Sequence, residues 1–120
     1  MKAHEVAHVA ALKGALGSAA VKKPKFDFQG TTTNMAKFKA TAQVLEDTGV
    51  AAYLGQAGKV TPAVLKVAGS IVTVEARHAA LIADIIGGDV STATPNGPFD
   101  KPNSMATILA TVKKTGFIVG

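Results

Sequence analysis

The sequence predicts an all-α bundle of three main helices and one short C-terminal helix, folded as one domain over residues 1–120. Apolar residues recur at i, i+3, i+4 and i+7 through three long segments separated by glycine- and proline-containing breaks. The composition agrees. Of 120 residues 48% are hydrophobic, but only five are phenylalanine, one is tyrosine and none is tryptophan. Closely approaching helices fit that balance better than broad aromatic strands. A chain of this length buries one core and is too short for two.

The first helix is expected from Lys2 to Leu16, with Met1, Glu5, His8, Leu12 and Leu16 on its inward face and Gly17 as its stop. Residues 17–34 form a Gly/Ser/Lys/Pro/Thr-rich connection in which Phe26 and Phe28 are expected to pin the linker onto the bundle. At about 3.3 Å per residue this connection can cross the roughly 30 Å of a long helix. A crossover of that reach is needed only between parallel helices.

The second helix is expected from Met35 to Leu54, where Ala42, Glu46, Gly49 and Tyr53 share a face. The break Gly55-Gln-Ala-Gly58 and the start signal Thr61-Pro62 lead into a third helix, Pro62 to Ile86, which Gly87-Gly88 ends. So short a turn makes these two helices antiparallel neighbours. On the third helix Val64, Ala68, Ile71, Glu75, His78, Ile82 and Ile85 form one stripe, so two ionisable groups fall where only apolar residues belong. A loop, Asp89 to Pro102, then precedes a capped helix at Asn103 to Lys114 and a docking tail, Gly116 to Gly120.

Glu75-Ala-Arg-His78 and Glu5-Val-Ala-His8 repeat one spacing. Residues i and i+3 leave a helix on the same face, so each pair aims a carboxylate and an imidazole at one point. Glu46 is the third contributor. A bundle supplying two such pairs plus single glutamates is the known arrangement of a dinuclear metal core. Unpaired buried carboxylates cost several kcal/mol and repel one another, whereas divalent cations reverse that sign. With no cysteine in the chain, any metal is held by oxygen and nitrogen donors. The expected ligands are therefore Glu5, His8, Glu46, Glu75 and His78, around iron or manganese, with zinc as a possible substitute.

His4-Glu-Val-Ala-His8 also fits the zincin pattern His-Glu-x-x-His. That pattern needs a preceding sheet to hold substrate, and only three residues stand before it. In a bundle His4 points about 100° away from Glu5 and is either solvent-facing or a support for a ligand. Tyr53 closes the end of the helical core or serves as a phenol near Glu46. Arg77 is expected in a surface or inter-helix ion pair and Asp47 in solvent.

The net charge of +5 does not point to nucleic acid, because the lysines are scattered apart from Lys22, Lys23 and Lys25. No run of about 18 apolar residues offers a membrane span, and the N-terminus lacks a signal-peptide pattern. An absence of cysteine leaves the compartment open.

At these motifs the chain resembles the ferritin-like superfamily, specifically the small ferritin-like domain family that includes desiccation-related proteins. Leu45-Glu-Asp-Thr-Gly-Val-Ala-Ala-Tyr-Leu54 is similar to that family's third bundle helix and Ile71-Val-Thr-Val-Glu-Ala-Arg-His-Ala-Ala80 to its fourth. His4-Glu-Val-Ala-His-Val9 is similar to its second, and Pro98 to Met105 with Gly116-Phe-Ile118 to its C-terminal extension. The resemblance implies the long crossover, oxygen- or peroxide-linked iron or manganese chemistry, and members that are often exported. It also implies an earlier helix bearing a first glutamate, which has no counterpart upstream of Met1. An apolar helical face is then expected to be covered by homo-oligomerisation or by a separate segment. A competing expectation is a structural or assembly module whose metal site is vestigial or a staple between helices.

Overall fold

The computed structural model describes all 120 residues, and they form helices α1 (Lys2–Leu16), α2 (Met35–Gln56), α3 (Pro62–Ile86), α4 (Val90–Ala93) and α5 (Met105–Lys114). The helix ends follow local chemistry. Asn34 caps α2 by accepting the Lys37 N–H at 2.9 Å, and Thr61 caps α3 by accepting that of Val64 at 3.3 Å. Gly87, at φ 93°, lets the chain turn left-handed out of α3.

α2 continues two residues past the expected end at Leu54 because Gly55 is not a stop. It is a contact point. A Cβ on Gly55 would sit on the carbonyl oxygen of Asn103, and the Asn103 N–H donates to the Ala51 carbonyl at 3.0 Å. Asn103 is thereby committed to α2, so the cap of α5 is Ser104, which accepts from Thr107 at 3.1 Å. The loop after α3 also holds an unanticipated turn of helix, α4. The Asp89 carboxylate nucleates it by accepting from the backbone of Ser91 at 2.9 Å and of Thr92 at 3.2 Å.

Phe26 and Phe28 join the linker to the C-terminal tail. Their rings lie parallel, 5.7 Å apart, and Phe28 meets the buried Phe117 edge-on at 5.5 Å. The backbone explains the partner: the Asp27 N–H donates to Phe117 at 2.8 Å, Lys25 to Gly120 at 2.7 Å, and Val119 to Lys25 at 3.0 Å. The crossover is thus laced to the C-terminal tail.

α3 is the spine. Of the eight buried residues it supplies Ile71, Glu75, His78, Ala79, Ile82 and Ala83, whereas Ile85, near its end, is 48% exposed. α1 and α2 both pack on α3, without close backbone approach to each other. Leu12 and Leu16 of α1 and Gly49 to Gln56 of α2 all face Val64 and Ala68, near the start of α3. Both therefore run antiparallel to α3 and parallel to one another, so residues 17–34 form a true crossover. Between α1 and α2 lies an open apolar groove of about 390 Å³.

The chain as a whole is generous in surface. The chain exposes 8101 Å², while a folded monomer of its mass, 12.2 kDa, is expected to expose about 6,000 Å². The exposed apolar residues include Val6, Val9, Leu16, Phe38 and Val44. No helix is long and apolar enough to cross a membrane.

Candidate metal centre

Three helices converge on one polar cluster. Glu5, Glu46, Glu75 and His78 each offer a ligand atom, and these atoms all lie within 4.8 Å of one another, a group that could hold a metal ion. His8 stands at the edge of this set. Its Nδ1 is 2.9 Å from Glu75 Oε1 and 3.5 Å from Glu5 Oε2. His78 Nδ1 lies on the other side, 3.1 Å from Glu5 Oε1, 3.4 Å from Glu46 Oε2 and 3.8 Å from Glu75 Oε2.

Both Glu5 and Glu75 therefore turn one oxygen toward each imidazole. The cluster divides into two halves that share these carboxylates. Glu46 belongs to the His78 half alone, which makes that half richer in oxygen. Exposure follows the architecture: the side chains of Glu75 and His78 on the spine are 8% and 6% exposed, whereas Glu5 on α1 is 44% exposed.

Proximity here is not hydrogen bonding. Glu5 Oε1, His8 Nδ1 and His78 Nδ1 are all buried atoms without a hydrogen-bond partner, although carboxylate oxygens and ring nitrogens stand within 4 Å. Native interiors rarely leave such atoms orphaned. Lone pairs that converge on shared points, rather than on each other, fit a cation better than a network of protons. Hard oxygens with two imidazoles suit iron, manganese or zinc.

The electrostatics agree. Burial pushes the Glu46 carboxyl up to about 8, aided by the adjacent Glu75 carboxylate and the charges of Glu75 and Glu5. Tyr53, whose ring lines the groove, is pushed up to about 12, first by burial and then by Glu75 and Glu5. The phenol thus feels the cluster from below.

Other residues depart from expectation. Arg77 makes no ion pair: it lies exposed on the far face of α3 and its Nε donates to the Thr73 carbonyl at 2.9 Å. Asp47 is half-buried rather than free in solvent, because Gln43 Nε2 donates to it at 2.8 Å. Gln43, one turn before Glu46, leaves its Oε1 buried and unpartnered. Its i, i+3 spacing to Glu46 was the available sequence signal. His4 reaches the cluster: its Nδ1 lies 3.0 Å from His78 Nε2. This contact turns it toward α3 rather than into a zincin arrangement with His8.

Compared with known proteins, residues 1–88 match the family model described as a ferritin-like domain. No curated protein and no solved structure matches the chain.

Proposed function

The chain belongs to the ferritin-like domain family, and on that premise we propose that Glu5, His8, Glu46, Glu75 and His78 form a dinuclear centre for iron or manganese. Glu5 and Glu75 would serve both ions, His8 and His78 one ion each, and Glu46 the ion on the His78 side. The observation that carries this reading is the division of Glu5 and Glu75 oxygens between the two imidazoles.

The two halves are unequal. Three carboxylates leave two divalent ions with net positive charge, and the half capped by His8 lacks a terminal carboxylate. The ion there is held more weakly and keeps water or takes an anion. Bound iron or manganese would supply electron transfer to oxygen or peroxide. The protein's part is to hold the ligands, with Tyr53 and the apolar groove limiting water around Glu46 and Glu75.

Titration of the metal-free chain with Mn²⁺ or Co²⁺ tests the assignment. Two unequal binding steps are expected, with the tighter removed by His78→Ala and the weaker by His8→Ala. Absence of bound transition metal after reconstitution would refute it. A second reading treats the metal as a staple between helices, favoured by the scarcity of buried residues: only eight in 120. Metal that binds and stabilises yet stays inert toward oxygen and peroxide supports the staple; turnover supports the redox centre.

The open groove enters the same proposal. Another helical segment or a second copy of the chain covers it, closing the bundle over Glu5.

A further inference from the structure

His78 is the ligand whose two ring nitrogens are both engaged by the protein. Its Nδ1 faces three carboxylates, while its Nε2 points the other way, to His4 Nδ1 at 3.0 Å. The two rings are nearly parallel, at 8°, with centroids 5.2 Å apart. That separation equals the N···N distance plus the two ring radii, so the imidazoles meet edge to edge in a common plane rather than stacking face to face. In-plane approach is the geometry of a hydrogen bond between ring nitrogens.

We propose that His4 is a positioning residue that fixes His78 as an Nδ1 metal donor. A pair of neutral imidazoles can share this bond in two ways. If His4 donates, His78 carries its own proton on Nδ1, the atom aimed into the carboxylates, and no lone pair is available there. If His78 donates from Nε2, the lone pair lies on Nδ1 and faces Glu5, Glu46 and Glu75. Only the second arrangement serves a metal centre. His4 then acts as the acceptor that selects the tautomer, holds the ring plane and makes the imidazole a stronger donor.

The sequence makes this economical. His4 and Glu5 are adjacent on the first turn of α1, so one turn offers a carboxylate to the Nδ1 side of His78 and an acceptor to its Nε2 side. His4 is itself exposed, so its replacement leaves the core on α3 intact.

This inference rests on the metal-centre reading, and its test separates the two. On the full chain, ¹⁵N NMR of the metal-free protein, above the imidazole titration range, reads the His78 tautomer; chelator competition reads Co²⁺ affinity. The expected result is an Nε2-protonated His78 that loses this preference in His4→Leu. The tighter Co²⁺ step should weaken about 10- to 100-fold in that variant. His4→Gln, whose carbonyl can still accept, should recover most of the affinity, which a merely structural role would not require.

Unchanged Co²⁺ affinity in His4→Leu, or an Nδ1-protonated His78 in the wild type, overturns the proposal. Failure of the wild type to bind Co²⁺ refutes the metal centre and, with it, the role of His4 toward a metal. The NMR measurement still reports separately whether His4 sets the tautomer.

Discussion

His8 Nδ1 and Glu75 Oε1 stand 2.9 Å apart across the interface of α1 and α3, yet the ring nitrogen has no hydrogen-bond partner. They are neighbours that do not point at each other. This relationship recurs at His78 and Glu5, where a ring nitrogen and a carboxylate oxygen 3.1 Å apart are both unpartnered. Without a cation these atoms are a cost to the fold, since desolvated polar groups without partners each forfeit about 1–3 kcal/mol.

Glu75→Gln should therefore act with opposite signs in the two states. Metal-free, it removes a buried charge that faces Glu46, and stability is expected to stay level or rise by about 1 kcal/mol. With Mn²⁺ at a hundred times its dissociation constant, the wild type gains about 2.7 kcal/mol, and the variant gains little. Thermal unfolding with and without the ion measures both effects, the wild-type gain amounting to roughly 10 °C.

The high value of Glu46, about 8 in place of 4.5, sets a pH dependence. Its folded-state value lies above the unfolded one, so the protonated carboxyl contributes stability that is complete below about 4.5 and gone above about 8. Metal-free protein should lose on the order of 1–2 kcal/mol across that window, after allowance for solvent screening. Metal affinity should climb over the same range, because the ion displaces the proton. Denaturant unfolding and Mn²⁺ titration as functions of pH check the two slopes; a flat affinity profile would count against Glu46 as a ligand.

Gly55→Ala tests the clamp between α2 and the segment before α5. The added methyl meets the Asn103 carbonyl group, with its carbon at 2.8 Å, so backbone must move. A loss of roughly 1–3 kcal/mol is expected, together with faster proteolysis within residues 90–120. Gly58→Ala is the control, since a Cβ there meets nothing within 4 Å.

Light scattering at micromolar concentration addresses the groove. A covered groove predicts a particle heavier than the 12.2 kDa chain, and Leu16→Lys, at the groove's edge, should shift the population toward monomer. A well-folded monomer in the wild type would count against coverage by a second copy.

The long helices were legible because their signals are local. The bounds of α1 and α3 follow from Gly17, Thr61-Pro62 and Gly87, and periodicity placed Glu75 and His78 on the apolar stripe of α3. What the sequence concealed depends on distant chain. Gly55 reads as a helix breaker until Asn103 is seen to need its missing side chain, and nothing near Phe28 in the sequence announces Phe117 as its neighbour. The division of Glu5 and Glu75 oxygens between two imidazoles is likewise a property of α1 and α3 together. Spacing within one helix carries no trace of it, nor of His4 reaching His78.

α1 contains no fully buried residue, and it packs against α3 without close backbone approach to α2. Its grip on the spine joins the polar cluster to the apolar contribution of Leu12 and Leu16 near Val64 and Ala68. An ion taken up by that cluster would couple its own binding to the seating of this helix, acting as a latch on α1.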